Sequence, residues 1–143
     1  MTKIGLTIIA LWLTISAFAE QKDSTTFRAY LYNNEYDVYL RINFYDQDIE
    51  VPGQPLYGKL PGFLGKLHNS FCWVITSCKI KKDNEAEMSL INDYGSEDLQ
   101  ASLFCHNDST YVLHQLKGST LKIPKNGKWQ KLPKYLVLKR KKD

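Results

Sequence analysis

Apolar side chains recur at every second position in two runs between residues 27 and 44, and that period constrains the fold more than any other feature. In Glu35-Tyr36-Asp37-Val38-Tyr39-Leu40-Arg41-Ile42-Asn43-Phe44 the even positions are apolar and the odd ones mostly polar. This is the pattern of a strand with one buried face. Phe27-Arg28-Ala29-Tyr30-Leu31-Tyr32 alternates as well, and Asn33-Asn34 separates the two runs. Asn tolerates positive φ, so the pair suits a two-residue primed turn. Such a turn sets Leu31 opposite Tyr36, Ala29 opposite Val38 and Phe27 opposite Leu40, and the apolar faces of both strands then coincide.

The remaining chain continues in the same manner after one interruption. Between 51 and 65, Pro52-Gly53, Pro55, Gly58, Pro61-Gly62 and Gly65 break any long element. A short strand is expected at 55–60. Phe63, Leu64 and Leu67 are expected in a long loop or single helical turn over a cavity mouth. Further strands are expected at 70–80, 85–91, 99–106, 110–116, 120–123 and 135–139, separated by short, turn-rich gaps. Pro133 places the last section at a sheet edge or a bend. The sum is all-β: eight to ten antiparallel strands in meander order, closing as a small barrel, with a β-sandwich as the alternative. The high tyrosine and phenylalanine content, nine and six residues, suits pleated, half-buried surfaces.

Residues 1–19 have a different character. Lys3 precedes an apolar run from Ile4 to Ile15, and Ala17-Phe18-Ala19 ends it with small residues at the two positions a signal peptidase reads. That predicts a signal peptide cleaved after Ala19, followed by a single β domain at 20–143 in a secreted or periplasmic protein. No cysteine follows the cleavage site, so a lipoprotein anchor is not expected, and no transmembrane segment is expected after cleavage. With this leader and this strand pattern, the chain resembles small secreted β-barrels of the lipocalin-like and periplasmic inhibitor types. The resemblance is at the level of the fold and carries over no site residue. It implies either a small ligand, such as an apolar one, held in the barrel, or a partner docked on its loops.

Charge is sharply divided. Residues 20–116 hold eight Lys/Arg against fourteen acids, whereas residues 117–143 hold ten Lys/Arg against Asp143 alone. Lysines recur at 122, 125, 128, 131 and 134, and Lys139-Arg140-Lys141-Lys142 follows. Such polarity points to an acidic protein or an anionic cell-envelope component as partner, unless the basic strands simply lie against acidic ones. Lysines interleaved with Trp129 and Tyr135 would suit single-stranded nucleic acid, but an exported protein does not meet it, so no nucleic-acid partner is expected.

Chemistry-bearing motifs are sparse. Cys72 and Cys78 fall on one expected strand, too far apart to bridge each other. Cys105 lies two strands away, so no disulfide is expected, with Cys78–Cys105 the single candidate. His68, His106 and His114 are too scattered for a metal site, and no cofactor is expected. His114 faces the core if the turn after His106 holds two residues, and faces water if it holds three, with Tyr111 and Leu113 then inward. Asp93, Glu97 and Asp98 surround one turn without the spacing of a calcium loop. Glycine-flanked serine, zinc-protease and phosphate-loop signatures are absent. The expectation is a non-catalytic binding protein, of inhibitor or immunity type, that docks an acidic partner. Phe63 and Leu64 would be its apolar loop contacts, Lys125, Lys128, Lys131 and Lys134 its cationic rim, and His114 an accessory position. The alternative is a small hydrolase or small-ligand carrier with its site in the barrel mouth.

Overall fold

The alternating segments close into a barrel in the computed structural model, which describes residues 25–142. The expected signal peptide and its cleavage point at Ala19 lie outside the described residues. The strands are β1 (Arg28–Asn33), β2 (Val38–Asn43), β3 (Ile49–Glu50), β4 (Lys59–Leu60), β5 (Gly62–Lys66), β6 (Asn69–Lys82), β7 (Glu85–Asn92), β8 (Asp98–Asn107), β9 (Thr110–Gly118), β10 (Lys122–Lys125), β11 (Lys128–Lys131) and β12 (Tyr135–Arg140). Eight of them form a closed antiparallel barrel in the order β1-β12-β9-β8-β7-β6-β5-β2, a meander apart from two insertions. The insertions are two-stranded ribbons, β3–β4 between β2 and β5, and β10–β11 between β9 and β12. Among the described residues no helix is long and apolar enough to cross a membrane.

An eight-stranded barrel is just wide enough for its own side chains to fill. Here Phe27, Leu31, Leu40, Leu64, Trp73, Ile75, Leu90, Leu103, Tyr111, Leu113 and Leu138 are among the fully or almost fully buried residues that fill it. The strand parity that buries them is preserved by bulges. On β6 the register shifts between Ile75 and Ser77, so Trp73 and Ile75 point inward before the shift and Cys78 packs on the core after it.

The first hairpin differs from the sequence expectation in register. Asn33 pairs with Val38 and Leu31 with Leu40, around a four-residue turn in which Asp37, at φ 55°, takes the left-handed position. Asn33 ends β1 instead of sitting in the turn, and its Oδ1 accepts the Tyr36 N–H at 2.9 Å. The slip is an even number of residues, so the same faces still meet. The outer-face partners do change: Tyr30 lies opposite Arg41 and stacks on Tyr39 at 5.4 Å.

The expected loop at 61–65 is also corrected: it is β5, a barrel strand between β2 and β6. Its glycines mark close approach, not a break. A Cβ on Gly62 would lie 2.3 Å from the Arg41 carbonyl oxygen, and one on Gly65 2.5 Å from Tyr39 Cζ. Outside β5 and β6, the β3–β4 ribbon covers a second apolar cluster of Ile49, Val51, Phe63, Cys72 and Val74.

The seam between β1 and β12 pairs only Leu31 with Arg140 and Tyr32 with Lys139. Side chains and backbone extend it. Arg140 donates to the Thr25 and Arg28 carbonyls and to Tyr111 Oη, and the Lys141 N–H reaches the Tyr30 carbonyl. Part of the basic C-terminal run therefore closes the barrel.

Candidate functional site

The β10–β11 ribbon folds across one end of the barrel. Its apolar side explains why: Leu121, Ile123 and Leu132 are buried in the main core, each stabilising the closed position by about 1.5–3 kcal/mol. Gln115, itself buried, fastens both legs. Its Oε1 accepts the Leu121 N–H at 2.8 Å, and its Nε2 donates to the Pro133 carbonyl at 2.9 Å and the Leu132 carbonyl at 3.3 Å. The Trp73 indole N–H adds a bond to the Lys122 carbonyl at 2.9 Å.

Next to this ribbon stands the 92–97 turn, built around Asn92. The buried Asn92 amide accepts the Ser96 and Glu97 N–H groups and donates to Ser96 Oγ and Glu97 Oε2. Gly95 supplies the positive φ, 70°, that the turn requires. The Gln54 amide of the β3–β4 insertion donates to the Asp93 carboxylate. Ribbon and turn are thus both held before any ligand arrives.

Between them lies a notch of about 200 Å³, floored by Phe71 and Trp73 and walled by Tyr94, Trp129, Glu97 and Lys122. Trp129 packs edge-on to Phe71 at 5.1 Å and to Tyr94 at 6.4 Å, the latter at 86°. Tyr94 is 72% and Trp129 53% exposed. Opposite these rings, Lys122 Nζ and Glu97 Oε1 pair at 2.9 Å. Two exposed rings, a carboxylate and an ammonium therefore face one ring-sized space.

The lysines expected as a rim do not share one face. Lys125 pairs with Lys128 across the ribbon turn, and Lys131 pairs with Lys122. Direct cross-strand partners lie on the same face, and residues three apart on one strand lie on opposite faces. Lys131 thus belongs with the notch face, Lys125 and Lys128 with the tip. Lys134 lines a separate groove of about 240 Å³ on the β9 side, with Leu116 and Lys117.

Phe63 and Leu64 are corrected as contact residues, because both lie on β5 and are buried, 2% and 0% exposed. The hydrophobicity that suggested a contact loop belongs to the two cores on either side of the strand. His114 points outward, since Tyr111 and Leu113 take the inward positions on β9. The turn does hold two residues, Asp108 and Ser109, but it is displaced by one, and a register shift between Cys105 and Asn107 resets the parity. His114 stacks on Tyr135 at 4.2 Å on the outer wall.

Among the described residues no disulfide joins the cysteines and no three His, Cys, Asp or Glu side chains gather to hold a metal ion. Burial, with a contribution from Asp93, pushes the Cys72 thiol up to about 11, which leaves it protonated and inert at neutral pH.

Sequence reasoning missed the notch. Phe71 and Tyr94 carry no local signature, and Glu97, Lys122 and Trp129 stand out in the sequence only separately, as one carboxylate of a turn, one of a run of lysines and an aromatic among them. Comparison with family models, with curated proteins and with solved structures finds no match to this chain.

Proposed function

We propose that this chain is a non-catalytic binding protein, exported to the cell exterior or periplasm, that takes an anionic partner at the end of the barrel covered by the β10–β11 ribbon. One observation carries the reading. The ribbon that covers the barrel presents exposed Trp129 with Lys122 and Lys131 on the face of the aromatic notch, and carries Lys125 and Lys128 at its tip. Lysines at a rim speed encounter and make binding sensitive to salt, while desolvated aromatics supply retention.

The filled interior favours an external site over an enclosed one. A ligand enclosed within the barrel would need space inside the wall, and the space there is taken by Trp73, Tyr111 and the leucines around them. His114, the histidine that one turn length would have aimed at the core, sits outside on Tyr135.

The test uses purified mature protein with cell-envelope polysaccharide and cell-envelope protein as separate binding partners. The reading expects retention of one of them at low salt, and its loss both at high salt and in a Lys125→Glu/Lys128→Glu variant. Equal retention by that variant, or no retention of either fraction, refutes it. Export is checked by N-terminal sequencing of the product, which is expected to begin at Glu20.

A further inference from the structure

The notch selects a narrower class of occupant than charge alone would, and naming that class rests on the ribbon end being the binding surface. The wall chemistry is two-sided. Phe71, Tyr94 and Trp129 offer ring faces and edges, while Glu97 and Lys122 offer an acceptor and a donor bound to each other at 2.9 Å. A purely apolar side chain entering this space would satisfy the rings and strip water from the ion pair with nothing in return, at a cost of several kcal/mol per desolvated ion. A small inorganic anion would meet Lys122 but leave the rings uncovered and Glu97 repelling it.

A pyranose ring meets both demands at once. Its axial C–H face lies on an aromatic ring, and its equatorial hydroxyls donate to a carboxylate and accept from an ammonium. Pockets that orient a ligand with a few polar groups set among aromatic surface work in this way. Charge narrows the choice again. Lys131 lies across from Lys122 on the notch face, while Lys125 and Lys128 add positive charge at the ribbon tip on the opposite face, that of Ile123. A ligand leaving the notch along this face passes the Lys131 ammonium, so a carboxylate on it is stabilised where a neutral sugar is not.

We infer that the Phe71–Tyr94–Trp129 notch binds one pyranose residue of an acidic, uronic-acid-bearing polysaccharide, with Glu97 and Lys122 taking its hydroxyls and Lys131 a neighbouring carboxylate. The site is preorganised: Asn92 fixes the turn that carries Tyr94 and Glu97, and Gln115 fixes the ribbon that carries Trp129 and Lys122. Preorganisation of this kind lowers the ordering cost of binding. Nothing in the notch is placed for glycosidic cleavage, which needs a carboxyl pair flanking one bond; Glu97 is already engaged by Lys122.

The test titrates full mature protein with short oligogalacturonates, with neutral malto-oligosaccharides and with an oligoglutamate peptide, following the indole N–H signals by NMR and affinity by calorimetry. Oligogalacturonate is expected to shift the Trp129 and Trp73 indole signals and to bind more tightly than the neutral sugar, by a margin that shrinks with salt. Trp129→Ala should weaken binding on the order of tenfold while the protein stays folded with only a small fall in melting temperature, and Trp129→Phe should retain most of the binding. Trp129 is half-exposed, so this variant is expected to fold. If the Trp129→Ala variant binds oligogalacturonate as well as wild type does, and only Lys125→Glu/Lys128→Glu loses it, the notch inference falls while the basic-ribbon reading stands. Equal affinity for the oligoglutamate peptide, or silence of the Trp129 signal with every sugar, overturns the inference as well.

Discussion

Replacing Gln115 with Met is the most direct perturbation of the device on which the site rests. The two side chains are close in length and volume, so the core stays filled, but three hydrogen bonds are lost. The Leu121 N–H lies in a fully buried residue and loses its acceptor, while the Leu132 and Pro133 carbonyls each lose a donor. An orphaned buried group costs about 1–3 kcal/mol, and water reaches the Pro133 side of the clamp more easily, so a net loss of about 2–4 kcal/mol is expected. On a domain of this size that is a fall in Tm on the order of 10 °C. Amide hydrogen exchange distinguishes a loosened ribbon from general softening: residues 121–132 should lose protection first, ahead of β6 to β9. Gln115→Glu sharpens the test. Its second oxygen would face two carbonyls, so the folded state holds that carboxyl protonated and its pKa lies above the unfolded value. The stability is then present below about pH 4.3 and is lost as pH rises through the folded pKa. A Gln115→Met Tm within about 2 °C of wild type, or exchange that quickens evenly over the barrel, would refute the clamp.

Gly65→Ala is expected to destabilise by about 1–2 kcal/mol, because the new methyl would sit 2.5 Å from a Tyr39 ring held by Tyr30 and Phe63. In a Tyr39→Ala background the same change should become neutral or stabilising by up to about 1 kcal/mol, since only the unfolded-state entropy remains; denaturant titration of the four-protein cycle decides. Cys72, with its pKa raised from 9.0 to about 11, should react with a thiol reagent at neutral pH about 100-fold more slowly than an ordinary cysteine on thiolate fraction alone. Labelling at the ordinary rate would show that the β3–β4 cover opens. Burial, together with Cys105, raises the Tyr111 hydroxyl pKa. Its stability is therefore complete below the ordinary tyrosine value of 10.0 and is lost as pH rises above it, a decline that Tyr111→Phe should reduce in alkaline melts. That variant should also cost about 1–2 kcal/mol at neutral pH, since Tyr111 Oη donates to the Thr26 carbonyl at 2.6 Å and accepts from Arg140.

The barrel was legible because its wall is wet on one side and dry on the other. That asymmetry writes itself into the sequence with a period of two, and the faces of β1, β2 and β7 follow from it. Register was less legible. The first hairpin slips by four residues without moving a side chain to the other face, so hydrophobic pattern could not distinguish the two pairings; Asp37 in the left-handed position decides between them. β5 was missed for a definite reason: Gly62 and Gly65 read as breakers, whereas they are demanded by the Arg41 backbone and the Tyr39 ring pressed against them from β2. The same contacts on the next strand are invisible until the strands are paired. Parity on β6 and on β9 depends on bulges, which leave no composition signal, and His114 was undecidable for that cause.

The candidate site lay beyond sequence reasoning because its walls come from segments far apart in the chain. Phe71 opens β6, Tyr94 and Glu97 sit on a turn after β7, and Lys122 and Trp129 belong to an insertion after β9. Their meeting requires that the insertion fold back over the barrel, and the force that folds it back is the burial of Leu121, Ile123 and Leu132. One short ribbon therefore does two jobs with alternating residues. One set of side chains closes the core, and the set between them faces outward as Lys122, Trp129 and Lys131. The recurrence of lysine every third residue, which reads as a single cationic stripe in the sequence, is split by the pleat into a notch-facing pair, Lys122 and Lys131, and a tip pair, Lys125 and Lys128. Arg140 has a structural task of its own, because its guanidinium ties the barrel seam at Thr25, Arg28 and Tyr111. Deleting the basic C-terminus would thus open the barrel and lose binding for a structural reason. Reversing charge at Lys125 and Lys128 leaves the seam intact and isolates the electrostatic contribution.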